Sequence, residues 1–500
     1  MSVAREYVES VMRRAREPME PVGFAPDWSD RPARHKHYPG TWRIPLPDQG
    51  DPLSELLQHS YGLLSRRMRL TGNQDSFLIP WHEHATWARG TASGGGLYPV
   101  EIYLVAGPSG TVPAGIYHYA QQHHALDRLL SGDLTAAVRA ALPHHPEVAE
   151  TDCFALLSVK FWKNSFKYNS FSYHVVTMDV GTVLGTWSMW SRDNGLPPLK
   201  AAFWFDDLAM NDLLGLDTVD ESVFAVVPLP WGDPPPVLDR SPVERGVTRT
   251  EVEHSRRVVR FPQLEKVHMA TLATDDRVPD LSRLGQAAPP ARPGAETITL
   301  PCSRPPAVPV KDALRARRSS FGGFVASPPL SLQSVGDVLS WAAAVPLPSE
   351  VPNRLTRLAL LVNHVAGLRP GVYDYQRDEH RLSLVGADPV GGFLQRNYFL
   401  NNYNLEQAAA VIAVIADPVA VISAIGDRGY RVTNAEVGAV TQAVYVACAA
   451  TGLSCGAVLG FDNVAVDEVL RTSPDEWPLI LIMIGRDRGS PPDLDYRLTL

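Results

Sequence analysis

Apolar residues recur along the chain with two different spacings, and each spacing predicts a different kind of element. Apolar positions three or four residues apart predict helices over 53–64, 332–344 and 436–451. Compact apolar runs predict strands over 100–105, 222–227, 358–362 and 479–484. We therefore expect an α+β fold, with a mostly antiparallel sheet and helices around it.

The second half of the chain repeats the first at a spacing of about 256 residues. The segment GIYHY at 115–119 recurs as GVYDY at 371–375, and MDVG at 178–181 recurs as AEVG at 435–438. Between the copies the chain is rich in Pro and charged residues, with one predicted helix near 249–268. The predicted organisation is an N-terminal domain at 1–240, a Pro-rich linker at 241–303 and a C-terminal domain at 304–500.

Length and composition favour a protein of two domains and argue against nucleic-acid-binding, zinc-binding and membrane proteins. The chain has 500 residues, 45% of them hydrophobic, which is more than one core accommodates. A formal net charge of −8, without a long Lys/Arg cluster, argues against a nucleic-acid partner. Four cysteines without a CxxC pair are typical of a reducing compartment and argue against structural zinc. Because we find neither a signal segment nor a run of about 18 apolar residues, we expect a cytoplasmic protein that does not bind membranes.

The most informative motif is the stretch RGTASGGGLYPVEIY at 89–103. Three glycines after Ser93 leave a backbone without Cβ atoms, which can approach a flat ring or a phosphate closely; a tight turn before the next strand is the simpler alternative. The stretch resembles the RxxPSAGALYPxExY signature of SagB-type dehydrogenases in the nitroreductase superfamily. The resemblance implies two tandem nitroreductase-like domains that form an intramolecular pseudo-dimer, with FMN bound at their interface.

The resemblance also implies which residues bind FMN. In the second copy, Arg317-Arg318-Ser319 is similar to the flavin-contacting RRSxRxF segment of nitroreductases, and 484–488 is similar to their terminal phosphate-binding stretch. A guanidinium suits a phosphate because its donors can bind two oxygens at once, although RRS alone is equally consistent with a solvated helix start. The expected cofactor-binding residues are Ser93, Gly94, Gly95, Arg317, Arg318, Ser319, Gly456, Ala457, Arg486 and Arg488.

The two copies have lost complementary parts. The interval 57–117 corresponds to the shorter 339–373, so the second copy lacks the glycine-rich loop. The first copy lacks RRS and has only the basic stretch RPARHKHY at 31–38. This pattern predicts one complete site between the domains and one FMN per chain. The protein would be a monomer that contains its own pseudo-dimer, or a homodimer.

Lys167 and Tyr168 are the candidate catalytic residues, since they match the Lys-Tyr pair of the family motif KYxxRxYR. Oxidation of an azoline transfers a hydride to flavin and a proton to a base, which would be Lys167 or a Tyr168 phenolate assisted by it. The second copy instead keeps Arg428 and Arg431 of that motif, which predicts one set shared by both domains. An exposed Lys beside a half-buried Tyr is the alternative interpretation.

The leading hypothesis is an FMN-dependent dehydrogenase that oxidises thiazolines or oxazolines to thiazoles or oxazoles in a ribosomally made precursor peptide, for example one of thiopeptide type. A cyclodehydratase would be its partner, and molecular oxygen would reoxidise the flavin because no dinucleotide fingerprint occurs. The alternatives are a flavin oxidase or nitroreductase acting on a small molecule, and a flavin-free scaffold subunit of a biosynthetic complex. No metal is expected, since His82-Glu-His84 lacks HExxH spacing and is predicted to lie in a loop.

Overall fold

The computed structural model describes residues 2–497 except 72–80, 143, 146–147, 149–150, 231–245, 274–277, 288, 295, 346, 352–353 and 489–492. Its helices are α1 (Val3–Arg13), α2 (Pro52–Ser60), α3 (Thr135–Ala140), α4 (Trp162–Tyr168), α5 (Ser172–Asp193), α6 (Asp207–Leu213), α7 (Pro262–Thr271), α8 (Val310–Ala316), α9 (Leu332–Ala344), α10 (Gly391–Arg396), α11 (Pro418–Ile425), α12 (Gly429–Ala450) and α13 (Asn463–Leu470). Its strands are β1 (Trp42–Pro45), β2 (Ser65–Thr71), β3 (Trp81–Ala88), β4 (Val100–Ala106), β5 (Gly115–Ala120), β6 (Ala125–Ser131), β7 (Cys153–Lys160), β8 (Glu221–Pro228), β9 (Thr297–Thr299), β10 (Phe324–Val325), β11 (Thr356–Val362), β12 (Gly371–Gln376), β13 (Arg381–Gly386), β14 (Ala410–Ala416), β15 (Ser454–Val458), β16 (Trp477–Asp487) and β17 (Asp493–Arg497).

Each copy forms its own antiparallel sheet, and the strand order is the same in both. The N-terminal sheet runs β1-β6-β5-β4-β7-β8, and the C-terminal sheet runs β9-β13-β12-β11-β14-β16, with β10 and β15 added beside β16. The repeated hairpin keeps its register as well, because Tyr119 lies opposite Leu126 and Tyr375 lies opposite Leu382. The repeat in the sequence is therefore a repeat of the fold.

The predicted elements are present, and the differences at their ends have a physical reason. Helix α9 has the predicted bounds, whereas α12 begins at residue 429 and not at 436. Almost every residue of α12 is buried, polar ones included. A helix that is enclosed on all sides has no polar face, so apolar spacing gives no sign of where it begins.

The two domains meet where α5 crosses α12, and the repeated glycines lie at the crossing. A Cβ atom at Gly181 would collide with the carbonyl group of Ala435, and one at Gly438 would collide with the carbonyl group of Met178. Only glycine permits two helix backbones to approach this closely. The MDVG and AEVG repeats thus mark the domain interface.

The linker is more structured than its composition suggests. Its helix α7 begins at Pro262. A helix was predicted from residue 249, and this prediction is wrong for residues 249–261, which are not helical. Proline at the first helical turn is favourable because its missing N–H has no partner there in any case. Leu264, Val267 and His268 are buried, and α7 packs against α1, α5 and α12. A separate three-stranded sheet, β17-β2-β3, joins the end of the described chain to the N-terminal domain.

Candidate functional site

A cavity of about 1420 Å³ opens between the two domains. The N-terminal domain contributes residues 92–98 and parts of α4 and α5, and the C-terminal domain contributes residues 317–323, 398–403 and 457–460. Most small-molecule pockets occupy roughly 300–1,000 Å³. The cavity therefore has room for more than one bound molecule.

The glycine-rich loop forms one wall of this cavity, and its backbone conformation requires glycine. Gly95 and Gly96 have φ angles of 65° and 68°, in the left-handed region. A Cβ atom at Gly95 would lie 3.0 Å from Lys167 Nζ and closer still to the Tyr168 hydroxyl. A Cβ atom at Gly96 would meet nothing within 4 Å and would project into open space. The structure thus places the predicted Lys-Tyr pair directly against the predicted cofactor loop.

Asp179 holds this loop in place, a role that the sequence analysis did not assign to it. Its carboxylate accepts hydrogen bonds from the Ser93 hydroxyl at 2.7 Å and from the Gly94 N–H at 2.8 Å. Ser93 Oγ also accepts a bond from the Tyr98 N–H at 2.9 Å. Burial raises the pKa of Asp179 to about 7, against the effect of these donors. Asp179 belongs to the repeated MDVG segment, but the repeat does not indicate that its side chain bonds to Ser93 and Gly94.

Arg317 connects the two domains beside the loop. Its guanidinium is buried and donates to the carbonyl oxygens of Gly90 at 2.7 Å and Arg89 at 3.0 Å. Two of its donors are therefore used by the protein itself. Arg317 lines the cavity, but its main contact fixes the segment that leads into the glycine-rich loop.

The remaining predicted residues of the C-terminal domain divide into two groups. Ser319 and Ala457 line the cavity, and both bond to the Tyr445 hydroxyl, at 2.9 Å and 3.0 Å. Arg318 and Arg488 also line it, as exposed cations. Two of the predicted residues do not line the cavity. Gly456 packs beneath the ring of Tyr403, and Arg486 is exposed at the edge where β16 pairs with β10.

Arg428 and Arg431 do not reach the cavity, so the prediction of a shared catalytic set is wrong for these two residues. Both bond to Asp207, and Arg431 also donates to Thr271 Oγ1 at 2.9 Å. His268 lies 3.3 Å from Arg431, and burial together with Arg431 lowers the pKa of His268 well below its usual value. The linker helix α7 supplies Thr271 and His268. In the repeated motif Arg428 stands at the position of Phe171, which lines the cavity, so the corresponding positions of the two copies have different surroundings.

The structure also bears on metal and membrane sites. His82 and His84 lie in strand β3, not in a loop. In the part of the chain that the structure describes, no three His, Cys, Asp or Glu side chains are arranged to hold a metal ion. Among the same residues, none of the helices combines the length and the apolarity needed to cross a bilayer.

The cavity has the features that FMN would need. Gly96 leaves space for a flat ring, and Val175, Met178 and Phe171 supply an apolar and aromatic surface beside it. Arg318 and Arg488 supply cations for a phosphate. The residues present therefore fit this cofactor, although Arg317 and Ser93 are engaged mainly within the protein.

Comparison with known proteins agrees with this description. Residues 314–486 match the family model described as the nitroreductase family. A protein of Methanocaldococcus jannaschii described as a nitroreductase is 29% identical over 184 residues, which is 35% of this chain and 90% of that protein. The trifolitoxin-processing protein TfxB of Rhizobium leguminosarum bv. trifolii is 28% identical over 138 residues, which is 27% of this chain and 37% of that protein.

A solved structure extends the likeness to the whole chain. A crystal structure from Anabaena variabilis, described as a nitroreductase, covers 98% of this chain and 100% of its own with a TM-score of 0.77 at 23% identity. At that identity the likeness shows the fold alone, and it confirms the predicted α+β architecture of tandem domains. Residues 314–486 are therefore similar to a nitroreductase-family domain, and the chain as a whole has the fold of two nitroreductase-like domains in tandem.

Proposed function

We propose that this protein is an FMN-dependent dehydrogenase that oxidises thiazolines or oxazolines in a peptide to the aromatic azoles. The observation that carries the proposal is the single cavity that brings together the glycine-rich loop, the Lys167-Tyr168 pair and the basic segment at Arg318. The glycine-rich loop and the Lys167-Tyr168 pair belong to the N-terminal domain and the segment at Arg318 to the C-terminal domain, and the sequence predicts that they meet at one site. The similarity of part of the chain to a trifolitoxin-processing protein supports a peptide substrate.

The proposed roles follow from the contacts. FMN, when bound, supplies the acceptor for the hydride. The Tyr168 hydroxyl, which lies beside Gly95, receives the proton that leaves the azoline ring carbon. Lys167 Nζ lies 4.8 Å from the centroid of the Tyr168 ring, which places a cation beside the proposed base. Arg318 and Arg488 hold the phosphate, and Asp179 keeps the loop in position.

The test has two independent readouts. The first is FMN released per purified chain, for which we expect about one equivalent, because the glycine-rich loop and the RRS segment each occur once in the chain and line the same cavity. The second is the loss of two hydrogen atoms from a thiazoline-containing peptide, followed by mass spectrometry under air. Lys167→Ala and Tyr168→Phe should retain FMN and reduce kcat by about 100-fold or more.

Lys266→Ala provides the control, because Lys266 is exposed and pairs with Glu6 at the surface, at 2.8 Å. Its kcat should equal that of the wild type. A protein that binds no FMN would favour the scaffold hypothesis. A protein that binds FMN, leaves the thiazoline unchanged and reduces nitroaromatic compounds with NAD(P)H would favour the small-molecule hypothesis.

A further inference from the structure

The wall of the cavity is much more basic than the chain as a whole. Among the described residues, ten Lys and Arg side chains and two Asp side chains line it, whereas the whole chain has a formal net charge of −8. Two of these cations pair with carboxylates outside the lining: Lys163 with Glu101 at 2.7 Å, and Arg67 with Asp495 at 3.5 Å. A phosphate monoester carries about −1.5 to −2 charges at pH 7, which is fewer than the number of Lys and Arg side chains that line the cavity.

The cations of the cavity wall come from both domains. Arg317, Arg318 and Arg488 belong to the C-terminal domain, next to the proposed phosphate position. Arg31 and Arg34 belong to the basic stretch at 31–38, which has no role in the proposed function so far. In the structure, residues 31–35 of this stretch line the same cavity as the RRS segment. This part of the wall therefore carries cations that the proposed flavin phosphate does not use.

Arg89 shows that this part of the wall is incomplete without a ligand. Its side chain lines the cavity and only 3% of the residue is exposed. Its Nε and one terminal nitrogen have no hydrogen-bond partner among the described residues, and its other terminal nitrogen lies 3.4 Å from His35 Nδ1. The guanidinium is 4.1 Å from the ring centroid of Tyr98. A buried cation with unused donors is unfavourable unless an anion joins it.

The positive charges around Arg89 repel one another and lower the pKa of their neighbours. Burial, followed by Arg89 and Lys163, lowers the pKa of His35 to about 4, so His35 is neutral at pH 7 and can accept from Arg89. Burial and the nearby Arg31 and Arg66 lower the pKa of Arg34. A carboxylate bound beside Arg34 and Arg89 would reduce the repulsion among the cations of this wall and accept two parallel hydrogen bonds from one guanidinium.

We propose that Arg31, Arg34, His35 and Arg89 form a subsite for a carboxylate of the substrate, so that the enzyme acts on an acidic peptide. This subsite deepens the proposed function and rests on it for the identity of the substrate. The carboxylate belongs either to an acidic side chain or to the end of the peptide, since both present the same two oxygens.

The experiment uses the FMN-loaded protein and rhodamine-labelled pentapeptides centred on one thiazole, the aromatic ring that the proposed reaction forms and that cannot be oxidised again. A single Glu occupies each of the other positions in turn, a matched set carries Gln, and each peptide is made with a free or an amidated C-terminus. Dissociation constants are measured by fluorescence anisotropy, and FMN content is measured alongside. The Arg31→Gln, Arg34→Gln double variant is compared with Lys266→Gln, since Lys266 is exposed and lies outside the cavity lining.

We expect at least one carboxylate position to bind about tenfold more tightly than its uncharged match, and the preference to weaken at high salt. Preference for Glu identifies a side chain as the source, and preference for the free C-terminus identifies the chain end. The double variant should lose the preference and keep its FMN, and Lys266→Gln should retain both. Equal affinity for all charged and uncharged peptides, or an unchanged preference in the double variant, would overturn the proposal.

Two further outcomes separate the subsite from the proposed function. Loss of FMN from the double variant would assign these arginines to the flavin phosphate and would also overturn the subsite. Binding is measured without turnover, so a carboxylate preference in a protein that never oxidises the thiazoline would support the subsite and refute the azoline dehydrogenase.

Discussion

Replacing Gly95 with alanine tests whether the loop positions the catalytic pair. The φ angle of 65° already disfavours any residue with a Cβ atom, at a cost of about 1–2 kcal/mol in folding free energy. The new methyl group would also overlap the Tyr168 hydroxyl and lie 3.0 Å from Lys167 Nζ. Both groups are the free ends of long side chains, so they can move aside without disturbing the core. The hydroxyl would need to shift by about 1 Å to reach an ordinary contact distance.

A shift of this size should affect the reaction much more than the fold. Misplacement of a reacting group by about 1 Å can reduce the rate by about 100-fold. Gly452→Ala is the matched control, because Gly452 has a φ angle of 69° and a Cβ atom there would meet nothing within 4 Å. We expect both variants to lose the same 1–2 kcal/mol in urea unfolding, and only Gly95→Ala to lose kcat with the thiazoline peptide.

The reasoning would be refuted by either of two results. If Gly95→Ala kept kcat within about threefold of the wild type, Tyr168 would not need its observed position to act. If Gly95→Ala were several kcal/mol less stable than Gly452→Ala, the overlap would be absorbed by the backbone and not by the two side chains. The two readouts thus separate positioning from folding.

Three further predictions concern buried charges. Burial raises the pKa of Asp179 to about 7 in the folded protein. The protonated side chain therefore contributes fully to the free energy of unfolding below about pH 4, and this contribution is lost as the pH rises towards 7. In urea unfolding, the wild type should lose about 4 kcal/mol more than Asp179→Asn over this range. Arg317→Met removes both bonds to the Arg89–Gly90 segment and should lower the free energy of unfolding by about 2–4 kcal/mol, with Arg317→Lys intermediate; equal stability of the three proteins would contradict the bridging role. Asp207→Asn leaves two buried guanidinium groups with weaker partners and should cost about 3–5 kcal/mol while FMN per chain stays unchanged, and a loss of flavin would show that this network supports the cavity.

Much of the architecture is determined by local sequence. The spacing of apolar residues marks the strands because side chains on a strand alternate and the buried ones must be apolar. The repeat at about 256 residues predicts two copies of one fold, since similar sequences bury similar faces. The glycine-rich loop is recognisable because Gly95 and Gly96 adopt a backbone conformation that other residues disfavour.

Contacts between distant parts of the chain required the tertiary structure. Asp179 is 86 positions from Ser93, and Arg317 is 227 positions from Gly90, so no local pattern relates the partners. The sequence likewise showed that the basic stretch at 31–38 stands where the first copy lacks an RRS segment. It did not show that Arg31 and Arg34 line the same cavity as Arg318. Helix α7 was predicted, but its place against Arg431 was not. Hydrogen bonds and ion pairs act over a few ångströms in space, whereas a sequence records only the order of residues, and the folded chain alone decides which of them become neighbours.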